Sequence, residues 1–114
     1  MDTLIQELRT FAAERDWQKY HSPKNLSMAL AVEVAELVEH FQWLTEEQSL
    51  ALSEEKLAAV REEIGDVLIY LVRLCDRLGV DPLLAAMDKL RANRRKYPAE
   101  RARGKADKYS EYGF

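Results

Sequence analysis

Two pairs of acidic residues have the spacing and the surroundings of a cation site. Glu33 and Glu36 lie three apart, and so do Glu63 and Asp66. On a helix, residues i and i+3 share a face, so each pair projects two carboxylates in one direction. Both pairs are set in apolar sequence: Val32 and Val34 flank Glu33, Ala35 and Leu37 flank Glu36, and Asp66 runs straight into Val67-Leu68. If the two helices pack antiparallel, four carboxylates converge. Two like charges about 4 Å apart repel by about 4 kcal/mol at an effective dielectric near 20, so such a cluster needs a neutralising cation. Oxygen ligands on rigid helices suit a hard ion such as Mg²⁺, which commonly takes one or two carboxylates together with substrate phosphates. The competing arrangement has these acids facing solvent or paired with arginines such as Arg61 or Arg73. Two matched pairs within apolar helices favour the metal. A di-iron bundle asks for Glu-x-x-His on two helices, whereas His40 follows Leu37, and His21 follows Gln18, at that spacing.

The elements that must carry these residues read as helices almost throughout. Leu4, Leu8, Phe11 and Ala12 form one stripe, predicting a first helix from about Thr3 to Tyr20. Ser22 followed by Pro23 is a helix start, and the second helix runs to about Trp43 on Leu30, Val34, Leu37 and Phe41. Thr45 and Gln48 have capping-box spacing, which makes Glu46 to Leu52 a short helix or turn. Ser53 caps a long third helix from Glu54 to about Leu78, and Gly79 fits its stop. Asp81-Pro82 opens a fourth helix to about Lys96, which Tyr97-Pro98 ends. The expected fold is an all-α four-helix bundle over residues 1–98, with a short basic and aromatic tail over 99–114.

The six residues Val67 to Val72 are all apolar or aromatic. A helix apolar on every side must be covered on every side. A bundle this small covers one face, so a second subunit is expected over the other.

Composition narrows the classes further. The 114 residues carry a formal charge of −3, which disfavours a general binder of nucleic-acid polymers. The average hides an asymmetry: Lys89 to Lys108 hold nine basic and two acidic residues, a local +7 against −10 elsewhere. That split fits either an anionic ligand handled beside anionic protein groups or a solvated basic helix end. No stretch approaches the roughly 18 to 20 apolar residues of a membrane span. Met1-Asp2-Thr3 lacks a signal peptide's basic start, and the single Cys75 excludes an internal disulfide. The expected location is the cytoplasm. The four scattered glycines make no dinucleotide or phosphate loop.

Glu33-Val-Ala-Glu36, 26 residues, then Glu63-Ile-Gly-Asp66 resembles the E-x-x-E…E-x-x-D signature of the MazG-like all-α nucleotide pyrophosphohydrolases. Ala13 to Trp17, His21 to Leu26, Glu39 to Trp43, Asp66 to Leu71 and Asn93 to Pro98 extend the likeness over almost the whole chain. Arg103-Gly104 to Lys108-Tyr109 looks like the dCTP pyrophosphatase branch. The resemblance implies Mg²⁺-dependent hydrolysis of a nucleoside triphosphate to monophosphate and pyrophosphate, cleaving between the α and β phosphorus. It implies metal binding by Glu33, Glu36, Glu63 and Asp66, and nucleotide contacts from Trp17, Gln18, Lys19, Tyr20, His21, Trp43 and Tyr70. It also implies a homo-oligomer, a tetramer or a dimer. Where that branch can place a substrate-contacting histidine in the first helix, this chain has Leu8.

Base–aromatic stacking contributes about 1 to 3 kcal/mol per base, so Trp17, Trp43 and Tyr70 could build a base pocket with His21 at its edge. Tryptophans in a small bundle are also ordinary core residues. Lys89, Asn93 and Lys96 share a helix face at i, i+4, i+7 and are candidates for the outer phosphates, or else a solvated face. One carboxylate would serve as general base, Glu36 first, with Glu39 and Glu62 nearby and Glu63 also in the catalytic set. The readings in competition are a pool-cleaning enzyme for dCTP-like or modified pyrimidine triphosphates, a related enzyme for dUTP or a histidine-pathway nucleotide, and a non-catalytic helical interaction module.

Overall fold

The computed structural model describes residues 1–104, so the expected tail beyond Gly104 lies outside the described residues. The chain divides into two compact units, Met1–Val80 and the part from Asp81 onward. Among the described residues no strand forms, and the all-α expectation holds.

In the first unit, α1 spans Asp2–Glu14, α2 Pro23–Glu39, α3 Glu46–Ser49 and α4 Glu54–Leu78. The caps are those the sequence signals. The Ser22 hydroxyl accepts the Asn25 N–H at 3.1 Å, and Pro23 takes the first position of α2. Thr45 and Gln48 close a reciprocal capping box before α3, at 3.1 and 2.9 Å. Ser53 accepts the Lys56 N–H at 3.1 Å and starts α4. α4 ends on Gly79 at φ 69°, with Val80 N–H bonded to the Cys75 carbonyl and Gly79 N–H to that of Asp76. This is a Schellman stop, which favours glycine at its left-handed position.

α1 is shorter than its apolar stripe predicts. It stops at Glu14 rather than Tyr20, because Asp16 adopts φ 53° and the same pair of stop bonds forms, Trp17 N–H to Ala12 O and Asp16 N–H to Ala13 O. Aspartate tolerates this conformation better than most side chains, so the stop carries no glycine to announce it. The chain reverses there, and Gln18–Tyr20 make a separate 3-10 turn. α2 likewise closes early. His40 caps it, and turn bonds from Phe41 and Gln42 to the Val38 carbonyl leave Trp43 beyond the helix.

α4 is the central element of this unit, packing mainly against α2 and also against α1. Ala12, Leu26, Val60 and Val72 form the buried apolar core, joined by one charged residue, Arg73, at 5% exposure. Much apolar surface stays uncovered within a single chain. Met28, Val32 and Val38 on α2, and Leu57, Ile64, Leu68 and Leu71 on α4, are all exposed. Within the expected all-apolar run, Val72 is buried at 1% while Leu68, Ile69 and Leu71 are open.

In the second unit, α5 spans Pro82–Lys96 and α6 Ala99–Ala102. Asp81 caps α5 by accepting the Leu83 and Leu84 N–H groups at 2.9 and 3.0 Å. Arg94, Arg95 and Lys96 fill its last turn, where positive charge complements the helix dipole. No described helix is long and apolar enough to cross a membrane.

Candidate functional site

α2 and α4 bring Glu33, Glu36 and Glu63 together. Each offers one carboxylate oxygen, and the three lie within 4.8 Å of one another. All three residues are half-buried. The ion pairs among the described residues tie no lysine or arginine to them; the cationic candidate nearest Glu63 is His40, with Nε2 4.0 Å from Oε1. Glu33 Oε2 and Glu63 Oε2 are shut off from solvent and accept no hydrogen bond. Such orphaned buried acceptors normally cost free energy unless an unseen partner satisfies them.

The electrostatics follow from this crowding. Burial pushes the Glu33 carboxyl up to about 7, reinforced by its contact with Glu36 and by the charges of Asp66 and Glu63. Burial also raises Glu63, with Glu36 and Asp66 adding to it and His40 opposing. Asp66 is therefore near enough to act on both, yet its oxygens stand outside the trio, and the residue is exposed. All the donors are carboxylate oxygens, a set that suits a hard divalent cation.

Asp66 also lines a cavity of about 140 Å³, together with Leu8, Phe11, Trp17, His21, Tyr70 and Arg73. Sites that enclose drug-sized ligands run to about 300 to 1,000 Å³, so this space admits one ring system rather than a whole nucleotide. The Phe11 and Trp17 rings meet edge to face at 5.6 Å, and the Trp17 and His21 rings at 6.4 Å. The early stop of α1 is what places Trp17 here. Carboxylates and aromatic cavity thus adjoin through Asp66.

The remaining expected residues fall elsewhere. Gln18, Lys19 and Tyr20 sit exposed on the 3-10 turn, with Lys19 Nζ 3.0 Å from Asp16. Trp43 is 86% exposed and lines no part of the cavity. Lys89, Asn93 and Lys96 lie along α5 in the second unit, at the spacing that aligns them.

One participant was not anticipated in its actual role. Arg73, weighed from sequence as a partner for the acidic quartet, instead donates from Nε to His21 Nδ1 at 3.2 Å and from Nη1 to Asp76 at 3.3 Å. Arg9 also donates to Asp76, from Nε to Oδ2 at 2.8 Å and from Nη2 to Oδ1 at 2.5 Å. The Arg73–Asp76 spacing of three on α4 was a usable signal; the Arg9 contact, 67 residues away, was not. Arg9 holds the Asp76 carboxyl below its ordinary range.

The MazG-like family model matches residues 28–112. The chain is 50% identical over 103 residues to dCTP pyrophosphatase 1 of Homo sapiens and 48% identical to that of Bos taurus. Those matches cover 89% of this chain, which spans 61% of the length of the curated relatives. A crystal structure of a pyrophosphatase from Archaeoglobus fulgidus DSM 4304 superposes with a TM-score of 0.82 at 45% identity, covering 86% of this chain and 92% of that one. Family model, curated relatives and solved structure agree: the chain belongs to the MazG-like family.

Proposed function

We propose that this chain hydrolyses a nucleoside triphosphate to a monophosphate and pyrophosphate, using Mg²⁺, with dCTP or a modified pyrimidine deoxynucleotide as substrate. The observation that carries the reading is the meeting of two environments. Three half-buried carboxylates with two orphaned oxygens adjoin, through Asp66, a cavity sized for one aromatic ring. The names of the relatives support the same chemistry.

Glu33, Glu36 and Glu63 would hold the ion, with Asp66 beside them. When bound, Mg²⁺ neutralises phosphate oxygens and lowers the barrier to attack by water. Glu36 would take the proton from that water. Trp17 and Tyr70 would flank the base.

Pyrophosphate release from a panel of triphosphates, with and without Mg²⁺, tests this. The expected result is Mg²⁺-dependent release with a pyrimidine deoxynucleotide ranked first, and a Trp17→Ala rise in KM of about tenfold to a hundredfold from lost stacking. Because Leu8 lines the cavity, the ranking among pyrimidines tests the substrate, and Mg²⁺-dependent release tests the reaction class. No release from any triphosphate would leave the interaction module.

The working form is a homo-oligomer. The exposed apolar residues of α2 and α4 exceed the scattered singles that solvent tolerates, and a second copy is the proposed cover, as dimer or tetramer. Sedimentation equilibrium returning only the 13.2 kDa monomer mass would refute it.

A further inference from the structure

A guanidinium cannot give up its proton in a protein. The bond from Arg73 Nε to His21 Nδ1 therefore makes Nδ1 the acceptor and leaves the ring proton, in the neutral form, on Nε2. Arg73 is itself fixed, 5% exposed and tied to Asp76, which Arg9 clasps. Arg77 grips the other end of the same residue, donating from Nε to the His21 carbonyl at 3.1 Å. No described group accepts from His21 Nε2, and the residue lines the cavity beside Trp17 and Tyr70.

We infer that Arg73 is a positioning residue that locks His21 as the Nε2–H tautomer, so that the cavity offers a fixed hydrogen-bond donor and selects a ring whose edge carries an acceptor. On a pyrimidine, that edge is a carbonyl oxygen or an unprotonated ring nitrogen. The inference rests on the proposed function for its substrate class but not for the tautomer itself. Charge favours the same state. Arg9, Arg73 and Arg77 surround a single counter-charge on Asp76, and on the cavity side only Asp66 opposes a further positive charge. Burial, and then these two guanidinium neighbours on α4, lower the His21 pKa from its ordinary value.

Two-bond proton–nitrogen NMR spectra of the intact protein, free of ligand, read the tautomer directly. The expected pattern is a single Nε2–H ring in the native protein and a tautomer mixture in Arg73→Gln. An Nδ1–H ring, or a mixture in the native protein, would overturn the lock. A paired substitution tests the donor while keeping Arg73. His21→Gln can still present an N–H near the Nε2 position, whereas His21→Asn can satisfy Arg73 but presents none. His21→Asn should raise KM for the pyrimidine triphosphate by about tenfold, with a smaller change in kcat, and His21→Gln should raise it less. Equal losses would overturn the donor role. Absence of turnover in the native protein would overturn the proposed function instead, with the tautomer still read by NMR.

Discussion

Glu63→Gln is expected to cut pyrophosphate release by at least about a hundredfold, an effect at or above that of disturbing a metal site's supporting shell, while leaving the helical fold intact. The substitution keeps the shape of the side chain and removes one of the three converging anions. In the protein without metal it should raise the melting temperature, since burial beside Glu36 and Asp66 already disfavours the charged form of Glu63. The two readouts move in opposite directions, which a merely structural role cannot produce. Undiminished kcat, or a fall in melting temperature without metal, would show that Glu63 serves packing or a pairing with His40 instead. Circular dichroism on the same sample establishes that the helices remain.

A second large effect is expected from pH and Mg²⁺ together. Glu33 titrates at about 7 in the folded protein against an ordinary value of 4.5, and Glu63 is raised in the same direction. Between those values the folded state binds more protons than the unfolded one. The stability Glu33 contributes is full below about pH 4.5 and is lost as pH rises through about 7, and Glu63 acts in the same sense. His21 and Asp76 have lowered values and act in the opposite sense, losing their contribution as pH falls. Glu33→Gln separates the two by removing much of the loss above pH 5. Mg²⁺ needs the deprotonated carboxylates, so its effect should be greatest near pH 8 and small at pH 5. At a hundred times its Kd, stabilisation is about 2.7 kcal/mol, a rise on the order of 10 °C for a domain of this size. Thermal melts over pH 5 to 8 with and without Mg²⁺ measure both arms. A metal effect that is absent, or equal at the two ends, would contradict the assignment.

Helix starts were legible because each is a local transaction between a side chain and the next turn's N–H groups. Ser22, Thr45 with Gln48, Ser53 and Asp81 all cap as their spacing requires. The Gly79 stop was legible for the same reason. The Asp16 stop was not, because no glycine marks it: an aspartate holds the left-handed position at φ 53°. The three glutamates were legible from i, i+3 spacing within apolar helices. Nothing local distinguished Asp66 from them, although its oxygens stand outside the trio and it faces the cavity. Arg73 was visible as a charge in an apolar helix. Its partners were not, because His21 lies 52 residues away. Trp43 lies past the end of α2 and is 86% exposed in the single chain, a placement that only the turn after His40 fixes.

The claim on which the rest depends is that Glu33, Glu36 and Glu63 hold one divalent cation. Crystals soaked in Mn²⁺, used as an anomalous stand-in for Mg²⁺, test it without reference to turnover. The expected result is an anomalous peak bounded by oxygens of these three side chains, with Glu33 Oε2 and Glu63 Oε2 no longer orphaned. A peak confined to other acidic side chains, or none at saturating Mn²⁺, would contradict it.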